Sequence, residues 1–502
     1  MSDKKSVLAQ GLNGAKWMSM SSITITIVNF VLTIVLARLL DASDYGAFQA
    51  IAVLVGFADM LWSLGVGPAI IRKEKLSKDD IVTGHTINML LGIAIWGGIN
   101  IGAPFWCNLF AIDNQNMLRA YSFIFIFNTV MAVPKSLLYR EYRYKVLALS
   151  SIAGVLVHAI LGIILAVIGF GPWALIISTL AQYGIQLFWV IPLSKISLEI
   201  GINKKSLRHL AYFGGGYTLM QFCNYVAMQG DNFFVNKLLG SKALGYYGKA
   251  YNLMGYPANL VGQTIDQVMY PIISKIQDDK ERLKRIFCAE TCFVGLVCVP
   301  ISVVGVICGD ELVSFLLGEG WAPVVPPMMI MVAGLFFRSA YKLNYTVLKS
   351  LGKVYKMAIM QFAYAIMVIV GSFIGQYNGI SGIALGVVIA VFFNYIVSLI
   401  SLTVDLKMKP IDILNNLKGP IVYTLIMYII GYYVHNIFVN LSYFNYFVML
   451  VAFSIIVFGL YMLIYRLTHK VLVPEQANAY LEKTKRQVLN KIIGRKYRNE
   501  GL

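Results

Sequence analysis

The feature that most constrains this chain is where it keeps its positive charge: Lys and Arg gather in alternate gaps between long apolar runs. Of 42 basic residues, 35 lie at the N-terminus, in every second gap or in the C-terminal tail. The groups are Lys4, Lys5 and Lys16, then Arg72 to Lys78, Lys135 to Lys145, Lys195 to Arg208, Lys275 to Arg285, Lys349 to Lys356, Lys407 to Lys418, and Arg466 onward. The other gaps hold only Arg38, Lys237 and Lys242, while Arg119, Lys249, Arg338 and Lys342 sit in or beside apolar runs. A chain threaded repeatedly through a bilayer is sorted this way, because loops rich in Lys and Arg stay on the cytoplasmic side. Both termini are therefore expected in the cytoplasm.

The apolar runs have the length for that reading. About 20 apolar residues cross the ~30 Å hydrocarbon core, and about fourteen such runs follow one another, near 15–37, 45–66, 85–105, 117–139, 146–168, 173–193, 212–238, 245–272, 286–308, 327–348, 354–376, 381–404, 421–439 and 446–465. With 58% hydrophobic and 13% charged residues, the chain lacks the polar surface that a soluble core needs around it. The net charge of +18 is dealt out in small groups between spans rather than gathered on one soluble face, which argues against a nucleic-acid partner. The first run has no small-residue cleavage site of the secretory kind and is expected to remain as an anchor.

Shifting the chain by 199 positions lays Arg38-Leu39-Leu40 on Lys237-Leu238-Leu239, Gly46 on Gly245, Phe48 on Tyr247 and Gly56 on Gly255, without a gap. Both segments join the first two spans of a six-span half, so runs 1–6 and 7–12 read as parallel duplicated lobes. The expected division is 1–200 for the first lobe, 201–408 for the second, 409–467 for two appended spans and 468–502 for a basic cytoplasmic tail. Within that tail, Leu481, Val488 and Ile492 stand among Lys and Arg, either as an amphipathic helix on anionic membrane lipids or as a disordered basic segment. Pro134, Pro257, Pro300 and Gly214-Gly215-Gly216 interrupt spans and mark either hinges or static kinks.

Charges at membrane depth cost on the order of 2.5–3.5 kcal/mol each, so they face a wet cavity or a partner. Asp59, Asp231, Asp266, Lys249, Arg338 and Lys342 qualify, whereas Arg38 and Arg119 stand near span ends and can snorkel. Arg338 and Lys342 are four residues apart, on one helix face. Two cations that close call for an anion between them, either a ligand phosphate or one of the three aspartates in a fixed ion pair.

Cys107, Cys223, Cys288, Cys292, Cys298 and Cys308 show no C-x-x-C pairing and read as small packing residues, so no metal and no cofactor is expected. Neither a phosphate-binding G-x-x-x-x-G-K-[ST] loop, nor H-E-x-x-H, nor G-x-S-x-G occurs, and the outer gaps are too short for a catalytic domain. An enzyme is not expected.

The stretch from Ala37 to Phe48 (ARLLDASDYGAF), that from Val133 to Tyr144 (VPKSLLYREYRY), Gly230 to Gly240 running into Gly245 to Tyr251, and Pro271 to Asp278 resemble the polysaccharide transporter family. That family shares a superfamily with the MATE drug exporters and the lipid II flippases; the likeness is to its colanic-acid and teichuronic-acid exporter type and spans runs 1 to 12. The resemblance implies an all-α polytopic protein of the bacterial cytoplasmic membrane, with two six-helix lobes around a central cavity and two extra helices. It further implies a flippase that carries an undecaprenyl-diphosphate-linked oligosaccharide outward by alternating access, with a polysaccharide polymerase complex as a candidate partner. Arg338, Lys342, Lys249 and Arg38 are then the candidates for the diphosphate, and Asp59, Asp231 and Asp266 for coupled entry of H⁺ or Na⁺. A cation-coupled exporter of small drugs is the alternative.

Overall fold

A computed structural model describes residues 2–62, 66–73, 76–194, 199–276, 278–440 and 446–474. The basic tail beyond residue 474 lies outside the described residues.

The described chain is all helix. The first part runs α1 (Ser2–Ala37), α2 (Ala42–Trp62), α3 (Val66–Arg72), α4 (Lys78–Ile101), α5 (Ala103–Phe110), α6 (Gln115–Tyr121), α7 (Ile124–Arg140), α8 (Tyr144–Val167), α9 (Pro172–Ser194) and α10 (Lys204–Leu239). It continues with α11 (Ser241–Lys275), α12 (Lys280–Ile307), α13 (Gly309–Leu316), α14 (Val325–Ala333), α15 (Leu335–Ser350), α16 (Val354–Gly375), α17 (Gly379–Leu406), α18 (Pro410–Asn440) and α19 (Tyr446–Leu472). Two compact units emerge, Met1–Lys249 and Ala250–Leu502.

Each of the fourteen apolar runs falls on a helix or on a broken pair of helices. Among the described residues, nine helical segments are long and apolar enough to cross a membrane, one of them the α16–α17 hairpin Tyr355–Leu406. A tenth is the pair Glu319–Ala333 and Leu335–Ser350, bent by 45°. The three other expected spans are α2, α10 and α11, the helices that carry Asp59, Asp231, Lys249 and Asp266. Outward faces are apolar, as a bilayer requires: Met20, Ile23, Ile27 and Val31 recur at helical spacing along α1 and all are exposed. This is a multi-pass membrane protein.

Between membrane helices, packing depends on how closely backbones approach. The α16–α17 hairpin shows it. Gly371 and Gly375 face Gly386 and Gly382, a small-x-x-x-small pair on each helix, and a Cβ on Gly371 would lie 2.8 Å from the Gly386 carbonyl oxygen. In the second unit α18 and α19 lie on α12, with Cys292, Leu296, Val299 and Val303 buried against Tyr423, Met427, Phe453 and Val457. The appended spans are thus part of that unit's core.

In the first unit the two glycines matched by the 199-residue shift each meet the other's helix. A Cβ on Gly46 would overlap the carbonyl of Ser241, and one on Gly245 would overlap the carbonyl of Ala42, 2.8 Å from its carbon. Ala42 and Ser241 are themselves related by the same shift, so the starts of α2 and α11 cross reciprocally. The glycines are retained because any side chain would push two backbones apart.

Two polar knots hold the short helix α3. Asp80, 1% exposed, accepts from Lys73 Nζ at 2.7 Å through both oxygens, from the Ser77 amide at 3.0 Å, and from the Ser77 and Ser206 hydroxyls at 2.8 and 2.7 Å. Ser77 in return accepts from the Asp80 amide, which closes a capping box at the start of α4. Arg140, at the end of α7, donates to the carbonyls of Ile70, Ile71 and Lys73, the orphan acceptors at the end of α3.

Candidate functional site

Helix α15 carries the sharpest concentration of polar side chains at membrane depth. Arg338, Tyr341, Lys342 and Tyr345 recur at positions i, i+3, i+4 and i+7 and so share one face, while Ala340, Leu343 and Val347 are buried on the other. The Arg338 guanidinium lies over the Tyr251 ring, 4.5 Å from its centroid, and donates to the Tyr251 hydroxyl. Lys342 Nζ donates to Asn259 Oδ1 at 3.3 Å, and its stem crosses the bare backbone of Gly262. The two cations therefore share a face but lean toward points two turns apart on α11. Tyr345 donates to Asn394 Oδ1 at 2.9 Å, and Tyr341 packs against the Tyr345 and Tyr364 rings at 5.6 and 6.1 Å. The result is a strip of cations and ring faces on one side of a broken span.

In the first unit the expected site residues separate into two places. Lys249, 2% exposed, has its ammonium 3.3 Å from the Tyr45 ring centroid and 3.5 Å from the Thr33 carbonyl oxygen. A buried ammonium over an aromatic face gains a cation–π attraction that offsets part of its lost hydration. Asp231, 1% exposed, accepts from the Tyr247 hydroxyl at 2.7 Å and the Asn232 amide at 2.9 Å, which engages both carboxylate oxygens. Arg38 follows the end of α1 with its side chain exposed, so it does not join a buried cluster.

Asp59 stands elsewhere, on α2. Asn128 Nδ2 donates to it at 3.3 Å, and Lys135, Tyr121, Tyr183 and Tyr225 lie near enough to feel its charge. Lys135 Nζ donates to Gln186 Oε1 at 3.0 Å. Sequence reasoning placed Lys135 in a cytoplasmic gap, whereas it projects from within α7, more than a turn before that helix ends. Its signal was available in the five residues of helix that follow it. The side chain of Asp266 lies outside the described residues.

The segments that carried the family likeness turn out to hold helix ends. Asn236 Nδ2 donates to the carbonyls of Phe110 and Ala111 at 2.5 and 3.0 Å, and Lys237 Nζ to that of Asn108 at 2.6 Å, which together satisfy the C-terminus of α5. Arg140 does the same for α3. Such motifs report fold, and substrate has to be argued from the α15 strip.

Comparison with known proteins bears on the same point. A family model described as polysaccharide biosynthesis protein matches residues 35–326, more than half of the chain. The chain belongs to that family. Relatives of this polysaccharide biosynthesis protein include an uncharacterized membrane protein in the cps region of Klebsiella pneumoniae, 25% identical over 433 residues that make up 83% of this chain and 87% of that one. The lipopolysaccharide biosynthesis protein WzxC of Escherichia coli (strain K12) is 23% identical over 401 residues, 77% of this chain and 80% of that one. A solved structure of the lipid II flippase MurJ in an inward closed conformation matches with a TM-score of 0.73 at 17% identity, covering 89% of this chain and 98% of that chain. At that identity the likeness is one of fold.

Proposed function

We propose that this polysaccharide biosynthesis protein is a flippase: it carries an undecaprenyl-diphosphate-linked oligosaccharide from the cytoplasmic to the outer leaflet by alternating access, for export of a surface polysaccharide. The observation that carries this reading is the α15 strip, where Arg338 and Lys342 stand among Tyr341, Tyr345 and Tyr251. Guanidinium and ammonium donors suit the diphosphate, and ring faces suit sugar rings. The names of WzxC and MurJ agree with it. The protein then resides in a bacterial cytoplasmic membrane with both termini inside, as the Lys and Arg distribution requires, and it works beside the polymerase that consumes its product.

Moving two negative charges outward across an inside-negative membrane is favoured by about 4–5 kcal/mol per 100 mV, from ~2.3 kcal/mol per charge. The potential alone can drive export. Asp59, Asp231 and Asp266 are the candidates for coupling to H⁺ or Na⁺, and Asp231 is engaged through both oxygens by Tyr247 and Asn232.

The test is flipping of a diphosphate-linked oligosaccharide lipid in proteoliposomes. Each charge-assisted contact contributes about 1.5–3 kcal/mol, so Arg338→Met with Lys342→Met should slow flipping at low substrate by ~10²–10⁴-fold. Arg338→Lys should retain part of the rate. Full activity of the double variant, in protein that elutes and unfolds as wild type does, refutes the role of the strip. Efflux of small cationic drugs that is blocked by Asp59→Asn would instead establish the drug-exporter reading.

A further inference from the structure

Away from the α15 strip, three side chains of unlike chemistry converge in the second unit. Cys308 follows α12 and precedes α13, Glu311 lies one turn further along α13, and His435 reaches them from α18. One ligand atom from each, thiol sulfur, carboxylate oxygen and imidazole nitrogen, lies within 4.8 Å of the other two. His435 Nε2 is 2.8 Å from Glu311 Oε1. The other carboxylate oxygen, Glu311 Oε2, is buried and meets no hydrogen-bond partner among the described residues. Cys308 is fully buried and Glu311 is 8% exposed.

That environment is unusual for a simple ion pair. A buried carboxylate oxygen without a donor costs roughly 1–3 kcal/mol, and the Cys308 thiol brings a third possible ligand atom to the same place. The His435 ring is also held in place, edge-on to Phe453 at 6.1 Å and 89°. One turn earlier on α18, Gly431 lets that helix settle onto Val303 and Ile307 of α12, so the histidine is delivered by a close backbone approach.

We propose that Cys308, Glu311 and His435 bind one divalent ion of the Zn²⁺ class. Sulfur, nitrogen and oxygen donors together select a borderline-soft metal over Mg²⁺ or Ca²⁺, which take all-oxygen shells. Three protein ligands leave the fourth tetrahedral position to water. Binding removes the thiol proton to solvent, occupies the orphaned carboxylate oxygen, and fastens α18 to the junction of α12 and α13. No spacing motif marks the three residues, because His435 is more than a hundred residues from its partners. The proposal does not depend on the transport reading.

The experiment uses the purified full-length protein in detergent, stripped with chelator and titrated with Co²⁺ and then Zn²⁺. One equivalent of Co²⁺ should give a thiolate-to-cobalt charge-transfer band that Zn²⁺ abolishes, and Zn²⁺ should raise the unfolding temperature. Cys308→Ser, the mildest change, should lose the band and the thermal shift. Its affinity should fall by more than the ~10–100-fold typical of losing an outer-shell partner, and His435→Ala should behave likewise. Absence of the band in folded wild-type protein overturns the proposal, as does equal metal binding by Cys308→Ser. Destabilisation by His435→Ala that is the same with and without Zn²⁺ would identify a bare ion pair and overturn it too.

Discussion

The reciprocal glycines at the start of α2 and α11 permit a prediction worked through from geometry. A Cβ on Gly245 would sit 2.8 Å from the Ala42 carbonyl carbon, and one on Gly46 would lie 3.1 Å from Ser241 Cα and closer still to that carbonyl. Ordinary carbon contacts begin near ~3.5 Å, and a carbonyl in a helix cannot turn aside, so each alanine must part the two helices. Overpacking of this kind costs about 1–3 kcal/mol. For a unit of this size each kcal/mol lowers the unfolding temperature by ~2–4 °C, so Gly46→Ala and Gly245→Ala should each lower it by roughly 2–12 °C. Both alanines act on the same gap. Once the first has parted the helices the second finds room, and the double variant should fall short of the sum by about 0.5–3 kcal/mol, the range for residues in contact. Thermal unfolding of the purified protein in detergent, followed through a full double-mutant cycle, gives the answer. Gly97→Ala in α4 is the control, since no atom lies within 4 Å of its added Cβ, and it should raise stability by about 0.5–1 kcal/mol. Additive effects, or singles no worse than the control, would refute a shared crossing.

The remaining predictions concern other parts of the fold. Asp80→Ala leaves Lys73 and Ser206 without their acceptor; because Lys73 is 27% exposed and can rehydrate, the loss should fall at the lower end of ~3–5 kcal/mol, with Asp80→Asn milder, as read by thermal unfolding. Gly386→Val should open the α16–α17 hairpin, seen as increased protease cutting between residues 375 and 379 and a lower unfolding temperature. Asp412, in the first turn of α18, is held below the usual carboxylate value by the Lys284 ammonium at 3.1 Å and the Lys409 amide. A depressed carboxyl contributes stability that is present above its unfolded value of 3.8 and lost as pH falls through the lower folded value. Asp412→Asn should therefore cost up to ~1 kcal/mol at neutral pH and nothing well below pH 3.8, and a cost that persists in acid would refute the pairing.

What was legible in the sequence was what apolar run length and residue spacing can encode. Fourteen runs marked the helices because crossing lipid demands a nearly unbroken apolar stretch, and the 199-residue shift found Gly46 and Gly245 because a bare backbone is needed at both. Arg338 and Lys342 were visible as cations where none should be, and their spacing placed them on one face. Their divergence toward Tyr251 and Asn259 was not legible, since it depends on a neighbouring helix whose register the sequence does not state. Lys135 was misplaced because basic residues near a span end look alike whether they point to water or back toward Asp59. Asp80 and His435 were missed for a common reason: each gains its meaning from a partner on a distant segment, Ser206 for one and Glu311 for the other.

Reciprocity between Gly46 and Gly245 also limits which substitutions this crossing can accept. In an isologous contact residue i of one copy meets j of the other, and j meets i. Ala42, Gly46, Ser241 and Gly245 keep that relation within a single polypeptide. Neither segment can then change alone at this seam, because a bulkier residue at either glycine would strike the carbonyl of the other helix.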